Sequence, residues 1–361
     1  MAGGARSGVA YLPLHDGRAP AWLFARMQEL ARQMAILIVG EFGAADLVRK
    51  LADPFWFQCF GCVLGFDWHS SGVTTTALGA LKEGIRGLET DLGFFVAGGK
   101  GGVSRQTPHE IAAVGDRLAV APGALQRASR AAAKVDSAAV QDGYQLYHHC
   151  FVFTREGTWA VIQQGMNVET RYARRYHWLS EAVVDFVCEP HLAVCCDATG
   201  PGLNMVAAES GGAREAVEAL AREHPDRLMG ELRQIARLEL PAHHHVVLSE
   251  ASLARLQRIF VQVYEEQPQD FRALLSLDGV GPATIRALAL LAELAYGQPA
   301  SFRDPARFSF AHGGKDGHPF PINRAGYDRS IEVMRSAILR ARLGNRERLD
   351  AIRRLARFGT P

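Results

Sequence analysis

The feature that most restricts how this chain can fold is a β-rich island in an otherwise helical pattern. Tyr144 to Phe153 and Trp159 to Gln164 are dense in aromatic and β-branched residues, and they flank Arg155-Glu156-Gly157-Thr158. That arrangement predicts a β-hairpin. A further strand is expected from Leu192 to Cys196. Elsewhere the period is helical. Over residues 20–52, Trp22, Leu23, Met27, Leu30, Met34, Leu37 and Ile38 recur near every 3.6 residues. Further helices are expected from Val73 to Ile85, from Thr107-Pro108 onward, from Glu169 to Val187 and from Glu209 to Glu239. Beyond about Leu248 the chain reads as helical, interrupted by a loop from Ser301 to Ala325. The break at Leu240-Pro241-Ala242, followed by three histidines, marks the best boundary. The expectation is an α+β protein: a mixed α/β domain with an antiparallel β-hairpin or sheet over residues 1–245, then an all-helical domain over 246–361.

Charge divides along the same line. The 361 residues carry a net charge of only +2. From Glu250 to Pro361, however, 17 basic residues face 12 acidic ones, a net +5 that leaves −3 for the rest. Positive charge is thus gathered where a polyanion can dock. No apolar run approaches the roughly 20 residues of a membrane span, and the N-terminus lacks a secretory pattern, so a cytoplasmic protein without a membrane partner is expected. Six cysteines are too few for a disulfide scaffold in a chain of this length. Cys59 and Cys62 form a Cys-x-x-Cys in apolar surroundings, which favours buried thiols over zinc.

The sharpest motif is Leu274-Leu275-Ser276-Leu277-Asp278-Gly279-Val280-Gly281-Pro282-Ala283-Thr284. Phe271, Leu274 and Leu275 give a first helix its apolar stripe, Gly279 and Gly281 permit a tight turn, and Pro282 suits the first turn of a second helix. Free amides at that second N-terminus favour a phosphate oxygen. The segment resembles the helix-hairpin-helix of DNA repair proteins, and the resemblance implies backbone contact through Gly279, Gly281 and Thr284. DNA glycosylases carrying this hairpin use a lysine and an aspartate that would fall at Ala283 and Asn323 here, so the resemblance does not extend to glycosylase chemistry. Between the hairpin and that segment, Ser309 to Pro319 holds two histidines, Lys315 and three glycines, and Lys315 is a phosphate candidate.

Polar residues cluster before and within the β-hairpin. Asp136 and Asp142 lead into His148 and His149, and Gln163 and Gln164 end the return strand. A two-residue turn at Glu156-Gly157 would set His149 opposite Gln164 and Cys150 opposite Gln163. Strand alternation places His148 and His149 on opposite faces. Acid, imidazole and amide groups of this kind suit hydrolysis, with Asp142 and His149 as candidate ligands for Mg or Mn. Arg171, Arg174 and Arg175 share one side of the helix expected from Glu169, together with Trp178, and suit phosphate contact. His69, Ser70 and Ser71 open the helix expected from Val73, and with Gly98-Gly99-Lys100-Gly101 they can form a phosphate cradle.

Several longer motifs carry a likeness that spans Tyr11 to about Ser330. Leu64-Gly-Phe-Asp-Trp-His-Ser-Ser-Gly-Val73, Ala97-Gly-Gly-Lys-Gly101, Ala139-Val-Gln-Asp-Gly-Tyr-Gln-Leu-Tyr-His-His149 and Arg174-Arg-Tyr-His-Trp-Leu-Ser180 resemble the family labelled domain of unknown function 763. The label implies one module and no activity. The residues themselves point to a nucleic-acid-processing enzyme, a DNA phosphodiesterase or nuclease in DNA repair, with Mg or Mn as cofactor and DNA as partner. A non-catalytic DNA-binding or scaffold protein, and a glycosylase-like or RNA-modifying enzyme, stay open as alternatives.

Overall fold

In a computed structural model of the chain, residues 21–66, 72–170, 172–196, 199–235 and 249–306 are described, with Glu332, Arg335, Ser336, Leu339 and Ala351 as isolated positions. The fold is α+β. Five helices come first: α1 (Ala21–Phe42), α2 (Ala44–Ala52), α3 (Pro54–Leu64), α4 (Gly72–Gly84) and α5 (Glu89–Leu92). Strand β1 (Phe94–Lys100) leads through a 3-10 turn into α6 (Thr107–Ala113) and α7 (Pro122–Lys134). A π-helical turn, Val135–Ala139, then passes the chain to β2 (Val140–Gln141), β3 (Gln145–Thr154), β4 (Trp159–Met166), β5 (Ala173–Leu179), β6 (Ala193–Cys195) and β7 (Leu203–Asn204). Helices α8 (Gly211–Ala221), α9 (Pro225–Ile235), α10 (Glu250–Glu266), α11 (Phe271–Ser276) and α12 (Pro282–Tyr296) complete the described chain.

The main sheet is antiparallel, in the order β1-β3-β4-β5-β6, and helices cover both of its faces. On one face Cys150, Val152, Ala160 and Ile162 pack against α1 to α4. On the other, Phe151, Phe153, Val161 and Trp178 share a core with α7 and with α8 to α12. Cys150 to Phe153 and Trp159 to Ile162 are apolar toward both faces, which is why these parts of the central strands read as near-continuous hydrophobic runs. Residues 236–248, where the domain boundary is expected, lie outside the described residues. On either side of them the core is continuous: Phe260, Leu274 and Leu288 belong to the same cluster as Phe151 and Trp178.

Four local expectations are corrected. The helix expected over 20–52 breaks at Gly43, whose φ of 86° takes the left-handed region that suits glycine. The helical stretch of 209–239 is likewise two helices, parted before Pro225. The β-hairpin closes through a four-residue loop, so that His149 pairs with Gln163 and His148 with Gln164. The expected register would have turned Trp159 away from Phe151; the observed one stacks the two rings at 5.6 Å. A one-residue slip reverses every side chain of a strand, so only the observed register allows this stack. Finally, the helix expected over 169–187 contains strand β5 instead. Its Arg174, Tyr176 and Trp178 point to one buried face and Arg175 and His177 to the other, so no polar alternation marked it as a strand.

Candidate active site

Asp136 sits on the π-helical turn after α7, a distortion often found at functional sites. Its buried carboxylate organises a chain of hydrogen bonds. Oδ2 accepts from Gln163 Nε2 (2.5 Å) and from Trp178 Nε1 (2.9 Å), and Oδ1 accepts from His191 Nε2 (2.5 Å). Gln163 Nε2 also donates to the Ala132 carbonyl at 3.3 Å. Both groups facing that nitrogen are acceptors, which fixes the amide orientation and turns Gln163 Oε1 toward His149 Nδ1 at 2.8 Å. His149 Nδ1 must then carry the proton. Its Nε2 keeps a lone pair, and Ser129 Oγ donates to it at 2.8 Å. Burial pushes the His149 imidazole below its ordinary value, against the opposing pull of the Gln163 hydrogen bond and the Asp136 charge. A neutral imidazole aimed at a hydroxyl is the geometry of a general base.

The backbone holds His149 firmly. Gly98 pairs across from Cys150, and a Cβ there would collide with the His149 carbonyl and with Thr107 Oγ1. Glu110 accepts from the Gly98 amide (2.6 Å), and Lys82 bonds both the Gly98 carbonyl and Glu110 at 2.8 Å. The glycine segment thus shapes the strand that supports His149.

Ser129, His149 and Gln163 border a cleft of about 1110 Å³. One side is α7, the other is the start of α11 and the turn beyond it, and Arg105 stands at the rim. Arg105, Arg127, Arg130, Lys134 and Arg272 face Asp270 and Asp278 there, so the cleft is basic. Among the described residues Arg105, Arg127 and Arg130 are exposed and have no carboxylate partner. Lys134 is committed: its ammonium donates to the Leu277 (3.2 Å) and Val280 (2.8 Å) carbonyls and so ties α7 to the glycine turn. Burial lowers its pKa, opposed by Asp278. Gly279 is exposed with φ 79°, Gly281 caps α12 in an extended conformation, and the Thr284 side chain points inward and is buried.

The other expected residues are distributed differently. Asp142 does not meet His149 as a ligand pair. Its Oδ2 accepts from Arg174 Nη1 and from the Tyr176 hydroxyl, each at 2.7 Å, and Arg174 also bonds Asp304 at 2.8 Å. Burial opposes the Arg174 charge, but Asp142 and its neighbours outweigh that and raise its pKa. Arg174 therefore ties the loop before β3 to the segment after α12. Arg175, on the reverse face, bonds Gln58 Oε1 at 2.6 Å and stacks over Phe57. Gln164 lies on that face too, donating to the Tyr147 hydroxyl at 2.6 Å. Lys100 is exposed at the end of β1, its ammonium 5.7 Å from the centre of the Tyr147 ring. His69, Ser70, Ser71, Arg171 and Lys315 lie outside the described residues. Asp142, His149, Gln164, Lys100 and Arg174 are thus not brought into one cleft. Among the described residues no group of three or more His, Cys, Asp or Glu is placed to hold a metal ion. None of their helices is long and apolar enough to cross a membrane.

Sequence reasoning missed Ser129, His191, Arg127, Arg130 and Lys134. The signal for the basic residues was present: Arg127, Arg130 and Lys134 recur at helical spacing among alanines. Ser129 and His191 had no such mark, because their partners are remote in sequence.

Compared with known families, residues 8–322 match the family described as a protein of unknown function (DUF763). The chain belongs to the DUF763 family. No curated protein and no solved structure matches it. The region shared with DUF763 contains Ser129, His149, Gln163, Asp136 and His191, together with both walls of the basic cleft. The arginine-rich stretch after Val333 falls beyond it.

Proposed function

We propose that this DUF763 protein is a nucleic-acid-processing enzyme, a phosphodiesterase that holds a DNA backbone in the basic cleft and cleaves it at Ser129. The observation that carries the reading is the Ser129-His149-Gln163-Asp136 chain in the wall of a cleft rimmed by arginines that have no carboxylate partner among the described residues. Phosphates would lie along Arg127 and Arg130, with the resemblance of the Gly279 turn to a helix-hairpin-helix supporting backbone contact at the opposite wall. His149 Nε2 takes the Ser129 proton as Oγ attacks phosphorus. The imidazolium returns that proton to the leaving oxygen, and water then releases the phosphoryl group from Ser129. Gln163 and Asp136 hold the imidazole in the required tautomer, the task of the third member of a nucleophile-base-orienter set.

Labelled single-stranded, duplex and flap DNA, and a matched RNA, incubated with Mg, with Mn and with chelator, test the reading. Cleavage that falls at least about 100-fold in both Ser129→Ala and His149→Ala supports it. No cleavage under any condition, or cleavage that persists in Ser129→Ala, refutes it. Salt-dependent binding without turnover, lost in Arg127→Ala/Arg130→Ala, would instead assign a DNA-binding protein.

A further inference from the structure

The sheet face opposite Ser129 holds another buried polar group. His148 is 2% exposed, and neither of its ring nitrogens has a hydrogen-bond partner among the described residues. Buried polar groups are nearly always paired, and leaving one unpaired costs about 1–3 kcal/mol. His148 borders a cavity of about 480 Å³ between α1, α4 and the end of β1. Three of the walls are apolar side chains, Phe24, Leu78 and Val103. Gly99, whose absent Cβ would fall against Val103, adds bare backbone to the lining. Lys82 also borders the cavity but is already held by Glu110 and Gly98. Lys100 is the exposed cation at the mouth, and no carboxylate pairs with it among the described residues.

We propose that this cavity binds the base of a nucleotide, with His148 bonding the ring edge, Phe24 and Val103 enclosing its faces, and Lys100 meeting the phosphate. An imidazole offers one donor and one acceptor when neutral, the pairing that a base edge presents. Burial, His149 and Lys100 together hold His148 down to about 3, so it stays neutral throughout the physiological range. His148 also borders the basic cleft, so the base can belong to a free mononucleotide or to a nucleotide turned out of a bound strand. The inference goes beyond the phosphodiesterase reading and does not depend on turnover.

Calorimetric titration with AMP, GMP, CMP and UMP addresses the free nucleotide. A single-stranded oligonucleotide carrying 2-aminopurine, followed by fluorescence, addresses the strand. Binding of at least one monophosphate below about 1 mM, weakened about tenfold or more by His148→Leu, is the expected result. Val103→Trp plugs the mouth from an exposed position, so it should abolish binding in a folded protein. Lys100→Ala should weaken the monophosphate more than the nucleoside. A 2-aminopurine response removed by Val103→Trp, with no binding of free nucleotides, would place the base in a strand and also support the site. Absence of both signals, or signals untouched by Val103→Trp and His148→Leu, overturns it. Arg127→Ala/Arg130→Ala should leave mononucleotide binding intact while removing oligonucleotide binding, which separates this site from the cleft.

Discussion

Acidification should destabilise this protein in part through His148. The imidazole is buried without a hydrogen-bond partner among the described residues, and burial, with His149 and Lys100, lowers its pKa from 6.5 to about 3. In the unfolded chain it returns to about 6.5. Between those values the unfolded state binds a proton that the folded state refuses, so stability is complete above pH 6.5 and declines as the pH falls. The loss is about 1.4 kcal/mol per pH unit below 6.5, or about 2 kcal/mol at pH 5. For 361 residues that corresponds to a drop of about 3 °C in Tm. His149 and His177 are also depressed by burial and act in the same direction, so the informative quantity is a difference. Urea unfolding of the wild type and of His148→Leu at pH 7.5, 6.5, 5.5 and 5.0 isolates it. The wild type should lose about 2 kcal/mol more than His148→Leu on going from pH 7.5 to pH 5.0, whichever is the more stable at pH 7.5. Parallel curves would show that His148 takes up its proton in the folded state, and the reasoning from burial would fail.

Other perturbations follow from the same contacts. Gly98→Ala should cost more than about 2 kcal/mol in urea unfolding, because φ is 90° and the new Cβ meets the His149 carbonyl. A loss below 1 kcal/mol would mean that β1 and β3 can part freely there. Asp142→Asn should cost about 3–5 kcal/mol, since it leaves Arg174 buried with one of its two carboxylates gone. Calorimetric melting reads that loss, and an unchanged Tm would contradict it. Lys134→Met should destabilise by about 1–2 kcal/mol and loosen the glycine turn whose two carbonyls it caps, seen as faster amide exchange over residues 277–284. In DNA titrations, Arg127→Ala/Arg130→Ala should reduce the slope of log K against log salt by about 2; an unchanged slope would move the backbone away from α7.

Much of the secondary structure was legible because local chemistry dictates it. Thr107-Pro108 opens α6, the β-rich island forms β3 and β4, and Gly279 with Pro282 shapes the turn between α11 and α12. Placing His148 and His149 on opposite faces needed only the two-residue period of a strand. Strand β5 was hidden by its burial on both sides: Arg171, Arg174 and Arg175 stand at helical spacing in the sequence, and Arg174 and Arg175 each found a buried partner on a different face. The hairpin register was equally illegible. Two candidate turns differ by one residue, and only the observed one lets Phe151 and Trp159 stack.

The sequence by itself determined an α+β chain, a pair of histidines divided by a sheet and a glycine turn between apolar helices. Each follows from periodicity or turn chemistry within a dozen residues. Tertiary structure alone decided which polar groups meet. Asp136 reaches Gln163, Trp178 and His191 across as many as 55 residues, Ser129 finds His149 from a neighbouring helix, and Asp142 is taken by Arg174 instead. Hydrogen bonds are short-ranged and directional, so their pairing depends on how the layers pack against one another. The candidate site is therefore a property of the sandwich, with α7 laid across one face of the sheet and α1 to α4 across the other.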